Sequence, residues 1–485
     1  MPVCPDRPFQ NDIMKLRHVF ATAFLLLSSI VYARIDLGAG RQATVGAYIY
    51  DLRSDKVVLA DNADVAMTPA SVVKSFTTAS ALQNLGKDWR FETRVTFTGK
   101  RGGNGAWNGD LVIIPSGDPT LESDEPAGTK GLCGEVAEAL KTMGVSKING
   151  SIIVADTVPD QGQAPDWENE DTPYPYGAGW FNLNWNDNTF TIWPNSGVTK
   201  PHVPGLDVVR VTRRYRGVDR GAGSERLYVF SPRAGKKGKG RKGRRRSGTD
   251  DANWAVKTTM PFPYKAFVYA LREQLKTDGI TVADRKSKDL TDIDELLQSK
   301  LTPVVSHYSL PLSDIMRDLM HRSDNTFAEG VLRAQARGAS RDSAISCEMR
   351  LWRDNGLDLD GQLFKDGSGL SRTTSVSPHF IGNVLQYMAQ SDYRDDYVSL
   401  FARAGQDGTL KNLLKDTPLT GRLALKSGSM SGVRCYAGYL LDENEHPSHV
   451  VVLFVNRYSC SGASLRRSIE NFMLDTFAPF LNKRN

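Results

Sequence analysis

Apolar and polar positions alternate over 45–52 and 56–60 around a turn at Ser54-Asp55, which predicts two strands early in the chain. An apolar run over 71–86 follows. Pro69 just ahead of it and Gly86 at its end mark it as a helix. Further strand patterns occur at 93–98, 110–114, 150–155 and 208–214, and helical patterns at 132–143 and 264–277. Residues 312–320 predict a short helix, and another begins at 323–325 and carries Phe327, Val331 and Leu332. Near the end, the strand-like runs 436–441 and 449–456 predict an antiparallel hairpin. An amphipathic helix over 465–477 follows, its stripe of Leu465, Ile469, Phe472 and Met473 suited to packing on a sheet. The mixture predicts an α/β (α+β) chain.

A length of 485 residues exceeds one ordinary core and predicts two or three domains. The stretch between 71 and 323, about 250 residues, is far too long for a loop. Its strand-rich pattern predicts an inserted domain, or two nested ones, over 92–284, leaving near Trp89 and returning near Asp284. The interrupted domain then comprises 34–91 and 285–485. Residues 1–33 read as a secretion signal, with Lys15 and Arg17 as the basic region, an apolar stretch over 19–31, and a cleavage site at Val31-Tyr32-Ala33. Met14 offers an alternative start. Export to the periplasm is expected, with a loose membrane contact of the last helix as a lesser expectation.

Composition is that of a globular protein, but the net charge of +6 has a local origin. Residues 233–246 hold nine basic residues and no acidic one, interleaved with glycine; without them the rest of the chain stands at −3. A run of this kind buries no core and predicts a disordered loop over 233–247. A solvated insertion is the favoured reading. Attraction to an anionic envelope surface is the functional one, and nucleic acid is an improbable partner for an exported protein. Export permits disulfides, and Cys435 and Cys460, flanking the C-terminal hairpin, are the pair best placed for one; buried free thiols are the alternative. Cysteine and histidine spacing gives no metal site, and no cofactor is expected.

Three short motifs carry chemistry. Ser71-Val72-Val73-Lys74 opens the 71–86 helix, so the amine of Lys74 lies one turn from the Ser71 hydroxyl, among unpaired backbone N–H groups. A desolvated lysine of lowered pKa can serve as base to that serine. Ser323-Asp324-Asn325 begins a second helix, where a capping role is the bland reading. Lys426-Ser427-Gly428-Ser429 lies on or beside a strand, where glycine admits another backbone. Each motif alone is weak. Their order, each at a helix start or on a strand, is the set found in penicillin-binding proteins and class A β-lactamases.

On these motifs the chain resembles the class C low-molecular-weight penicillin-binding proteins, the D-alanyl-D-alanine carboxypeptidase/endopeptidase family. Segments that match in order are Ser116-Gly117-Asp118-Pro119, Asp156-Thr157, Pro175-Tyr176-Gly177-Ala178, 366–371 and 404–410. The resemblance implies a penicillin-binding/β-lactamase-like domain with an antiparallel sheet flanked by helices. It also implies an exported serine DD-peptidase that cleaves D-Ala–D-Ala, and cross-links to a diamino acid, through an acyl-enzyme on Ser71. Lys74 would take the serine proton, Ser323 relay one to the leaving amine, and Asn325 hold Lys74 and the substrate amide. Lys426 would supply positive potential, while the hydroxyls of Ser427 and Ser429 bind the terminal carboxylate and Gly428 admits the backbone. The N–H groups of Ser71 and Ser429 would form the oxyanion hole, and Asp156 would meet the amino group of the diamino acid. Peptidoglycan stem peptides would be substrates and β-lactams covalent inhibitors. A serine β-lactamase-like hydrolase is the nearest alternative, but no Glu-x-x-x-Asn lies between the second and third motifs. A non-catalytic peptidoglycan-binding protein is another, and it would need no activated serine.

Overall fold

The computed structural model describes residues 35–156, 158–231, 254–283, 295, 297–298 and 300–481. The predicted signal and the basic tract 233–246 lie outside the described residues. The fold is mixed α/β, and its centre is a six-stranded antiparallel sheet in the order Ala402–Arg403, Leu423–Met430, Val433–Leu441, Pro447–Asn456, Thr44–Asp51, Lys56–Asp61. The two ends of the chain thus meet side by side, Val45 opposite Val455 and Asp51 opposite His449.

Both faces of this sheet are covered, which explains the unbroken apolar run before Asn456. Val450, Val452 and Phe454 face one core with the helices Val73–Leu85, Leu312–Arg322, Asn325–Ala334 and Pro378–Gln390. Val451, Leu453 and Val455 face the other, closed by Leu465, Ile469, Met473 and Phe477 of the helix Gly462–Leu481. The C-terminal amphipathic stripe therefore packs on the sheet. Among the described residues no helix is long and apolar enough to cross a membrane.

The same alternation overturns the expected Cys435–Cys460 bridge. Cys435 points into the helical core, with Thr68 O as acceptor of its thiol, whereas Cys460 packs against the core on the opposite face. Both are free thiols. Flanking a hairpin symmetrically in sequence does not bring two side chains to one face of it.

Between the first helix and the second motif, two four-stranded and two three-stranded sheets share a core with the helices Leu132–Thr142 and Pro263–Thr277. Several strands have no counterpart in the sequence pattern, among them Thr189–Trp193, Arg226–Ser231, Val256–Thr259 and Thr302–Tyr308, the last of which pairs with Glu92–Phe97. The chain leaves and returns side by side: Ser309 N donates to Phe91 O at 3.0 Å, and Leu312 N to Trp89 O at 2.8 Å.

Candidate active site

Ser71 sits in a 3₁₀ turn, Ala70–Val72, that leads directly into the helix Val73–Leu85. Ala70 adopts φ of 48°, a costly conformation for a residue with a Cβ, and it is held by close neighbours on two sides. A Cβ on Gly369 would lie 2.0 Å from Ala70 O, and one on Gly428 would lie 2.5 Å from Pro69 O and 3.1 Å from Ser71 N. Glycine at these two positions lets a loop and a sheet strand touch the serine turn directly.

Lys74 lies in the first turn of the helix and is completely buried. Its Nζ donates to Ser71 Oγ at 3.1 Å, Asn325 Oδ1 at 2.7 Å and Ser368 O at 2.6 Å. Burial brings its pKa down to about 8, against the opposing charges of Asp366, Asp324 and Glu329. A neutral Lys74 at mildly alkaline pH is within reach of the Ser71 proton, the geometry of a general base.

Between the helices Leu312–Arg322 and Asn325–Ala334 the chain turns on Ser323, at φ of 63°. Asp324 is the helix cap, accepting from Phe327 N at 2.8 Å, which leaves the Ser323 hydroxyl for another task. Lys426 Nζ donates to Ser323 Oγ at 2.9 Å and to Ser427 O at 2.7 Å. Lys426 is buried too, and burial first, then the charge of Lys74, holds its pKa well below the usual lysine range. Ser427 Oγ lies 2.7 Å from Thr409 Oγ1, and Ser429, further along the same strand, is exposed.

The fold therefore gathers Ser71, Lys74, Ser323, Asn325 and the 426–428 strand. Asp156 has other neighbours: its carboxylate accepts from Gln161 Nε2 at 2.9 Å and Val158 N at 3.4 Å, and burial raises its pKa. Sequence reasoning missed the backbone acceptors of the site. Ser368 O is held in place by Asp366, a fully buried carboxylate that accepts from Gly369 N at 2.7 Å, Ser371 N at 2.8 Å and Trp167 Nε1 at 2.7 Å. Burial and the charge of Glu329 push Asp366 up to about 6. Asn325 is fixed from the other side by Tyr176 O, which accepts from its Nδ2 at 2.8 Å. Trp167 and Tyr176 both come from the long segment between the first two motifs. The glycines of 366–369 and 404–408 were the one readable signal that these loops approach another backbone.

Residues 31–473 match the profile of the D-Ala-D-Ala carboxypeptidase 3 (S13) family. The chain belongs to this family. It is accordingly a serine-type D-alanyl-D-alanine carboxypeptidase of peptidoglycan metabolism. The D-alanyl-D-alanine carboxypeptidase DacB of Haemophilus influenzae is 26% identical over 454 residues, covering 86% of this chain and 86% of that protein. The D-alanyl-D-alanine carboxypeptidase of an Actinomadura species is 26% identical over 424 residues, 82% of this chain and 75% of that one. Among solved structures, penicillin binding protein 4 of Haemophilus influenzae superposes with a TM-score of 0.73 at 22% identity, covering 91% of this chain and 99% of that chain. A second structure of that protein, complexed with a β-lactam, superposes at 0.68 over 90% and 96% of the two chains, also at 22% identity.

Proposed function

We propose that Ser71 is the nucleophile of this DD-peptidase and that the enzyme works in the periplasm on both the terminal D-Ala–D-Ala bond and D-Ala–diamino acid cross-links. The observation that carries the reading is the completely buried Lys74 Nζ, 3.1 Å from Ser71 Oγ with its pKa near 8. Neutral Lys74 takes the hydroxyl proton as Ser71 Oγ bonds to the peptide carbonyl carbon. The resulting oxyanion is met by the N–H groups of Ser71 and Ser429. As the C–N bond breaks, Ser323 passes a proton to the departing amine, replenished across its 2.9 Å hydrogen bond to Lys426. Water then attacks the acyl carbon, passing a proton through Ser323 back to Lys426, while protonated Lys74 returns its proton to Ser71 Oγ as the ester bond breaks and the shortened stem peptide leaves.

Lys426, whose charged form a bound carboxylate favours, together with the Ser427, Thr409 and Ser429 hydroxyls gives the substrate's terminal carboxylate its site. Asn325, whose Oδ1 holds Lys74, keeps the base in place and meets the substrate amide. A β-lactam presents the same carbonyl and carboxylate, so it acylates Ser71 and is slow to leave. Asp156 as a contact for the diamino acid rests on the motif match alone.

Intact-mass measurement after penicillin treatment tests the nucleophile: wild type gains one adduct and Ser71→Ala gains none. An adduct persisting on the Ala variant refutes the assignment. Release of monomers from a cross-linked muropeptide dimer tests the endopeptidase half. The N-terminus of protein recovered from a periplasmic fraction, expected just after Ala33, tests export.

A further inference from the structure

A groove of about 490 Å³ opens beside the site, between Pro126 and Ala127, the outer side of the helix Leu312–Arg322, and Gly408. Its walls run directly into the catalytic residues. Arg322 precedes Ser323, and Gly408 precedes Thr409, whose hydroxyl touches Ser427. Gly408 packs on the end of the helix, where a Cβ would lie 2.9 Å from His321 O. This is the Ser323–Ser427 side of Ser71. Asn325, held by Tyr176, meets Lys74 and not this groove.

The groove is rigid on one wall and chemically open on the other. Arg322 is tied to Asp318 at 2.5 Å and Glu125 at 2.9 Å, and Asp318 also accepts from Ala127 N at 3.0 Å. Those groups are consumed in holding the loop to the helix. By contrast, Leu310 is 36% exposed on an apolar wall, and Arg317 is exposed and forms no ion pair among the described residues. His321 Nε2 is buried without a hydrogen-bond partner.

Removing a terminal D-Ala requires none of this, because the leaving amino acid ends at its carboxylate. A cross-link is different: the leaving amine belongs to a diamino acid whose methylene chain continues into a second stem peptide, so the departing strand needs room beyond Ser427. Resting on the reading that this site also cuts cross-links, we propose that the groove is the subsite for that departing strand. Its methylenes lie against Leu310 and Pro126, and a stem-peptide carboxylate lies at Arg317. Asp314, exposed three residues before Arg317, keeps the groove close to neutral, so Arg317 acts as a local contact and not as a long-range attractor.

The test compares two substrates on the purified mature enzyme: a cross-linked tetrapeptide dimer and a small soluble D-Ala–D-Ala peptide. Arg317→Ala should lower kcat/KM for the dimer about three- to fivefold, the scale of one exposed charge contact, mainly through KM. Leu310→Glu should lower it further, about tenfold, by placing a carboxylate on the apolar wall. Both variants should turn over the small peptide and react with penicillin within about twofold of wild type, which also shows that they fold. Arg467→Ala, an equal charge change on the far helix, should alter neither. Dimer cleavage insensitive to both groove variants overturns the subsite and leaves the endopeptidase reading standing. Parallel losses on both substrates assign Arg317 and Leu310 to the site's structure and also overturn it. A wild-type enzyme that cleaves the small peptide and not the dimer refutes the endopeptidase reading, and the subsite with it.

Discussion

Gly428→Ala should separate the sheet strand from the nucleophile turn while leaving the Ser71–Lys74 pair intact. The added Cβ would lie 2.5 Å from Pro69 O and 3.1 Å from both Ser71 N and Val72 N. All three contacts are with backbone, so no side chain can swing aside. A carbon approaches a carbonyl oxygen no closer than about 3.0 Å, so strand and turn must part by roughly half an ångström. That displacement acts on the gap between the N–H groups of Ser71 and Ser429, where donors work only at about 2.7–3.1 Å from the oxyanion. A 1 Å misplacement costs on the order of a hundredfold and loss of one donor a hundredfold or more, so half an ångström should cost about tenfold to fiftyfold in acylation, or roughly 1.4–2.3 kcal/mol. Stopped-flow acylation by a chromogenic cephalosporin measures it, with thermal melting alongside. Since Ser71 and Lys74 share one turn, the pH at which the rate rises should not change; only the plateau should fall. A folded Ala variant that acylates within about twofold of wild type would show that the strand does not supply a positioned donor. A shifted pH profile would show that the glycine acts on Lys74 instead.

The pH dependence of wild type follows from Lys74: the protonated amine cannot accept the Ser71 proton, so the acylation rate should climb as pH rises through about 8, and a rate flat between pH 6 and 9 would place the base elsewhere. Glu348 is buried, accepts from Gln335 Nε2 at 2.7 Å, and has its pKa pushed up to about 8 by burial. The stability of its protonated form is full below its unfolded pKa of 4.5 and is lost as pH rises through 8, so wild type should lose roughly 1–3 kcal/mol over that window. Glu348→Gln should lose less over the same window, and equal losses of unfolding free energy by the two proteins between pH 4.5 and 8 in denaturant titrations would refute this. Deleting 233–246 should spare hydrolysis of a soluble peptide and leave binding to isolated sacculi unchanged, as a solvated insertion requires; a loss of binding that is largest at low salt would reject that reading in favour of recruitment to an anionic surface.

What could be read in the sequence has a common physical basis. A serine and a lysine three residues apart must share a helix face if a helix starts there, and a lysine before Ser-Gly-Ser on an apolar run must lie on a strand. Residue type and local period settle such cases. The strand Thr302–Tyr308 escaped because its residues are mostly half-exposed and Pro303 borders an irregularity in its pairing, which spoils the alternation. The cysteine pairing failed because position along a hairpin fixes proximity only together with the face of the sheet, and Cys460 lies beyond the strand whose alternation could have been counted.

The carbonyl acceptors around Lys74, Ser368 O for the lysine itself and Tyr176 O for Asn325, show a deeper limit. Ser368 and Tyr176 serve through their carbonyls, and a carbonyl oxygen is present on every residue, so no choice of amino acid announces it. What marks them is the support behind them: Asp366 gathers three N–H donors to fix Ser368, and one of those donors is the Trp167 indole. Asn325, which shares Lys74 with Ser368, is in turn held by Tyr176. Trp167 and Tyr176 belong to the long segment that separates the first two motifs, so that segment is part of how the lysine is kept dry and oriented. Burial of Lys74 is what lowers its pKa, and on the proposed mechanism the lowered pKa is what lets it act as base. Trp167→Phe makes the dependence measurable, since the ring still fills the space but Asp366 loses a donor. A carboxylate with one donor fewer holds its proton more tightly, and a neutral Asp366 no longer supports the charge on Lys74. The pH at which acylation rises should therefore move down from about 8, with thermal stability lowered by about 1–3 kcal/mol. An unchanged profile would mean that the inserted segment merely covers the site.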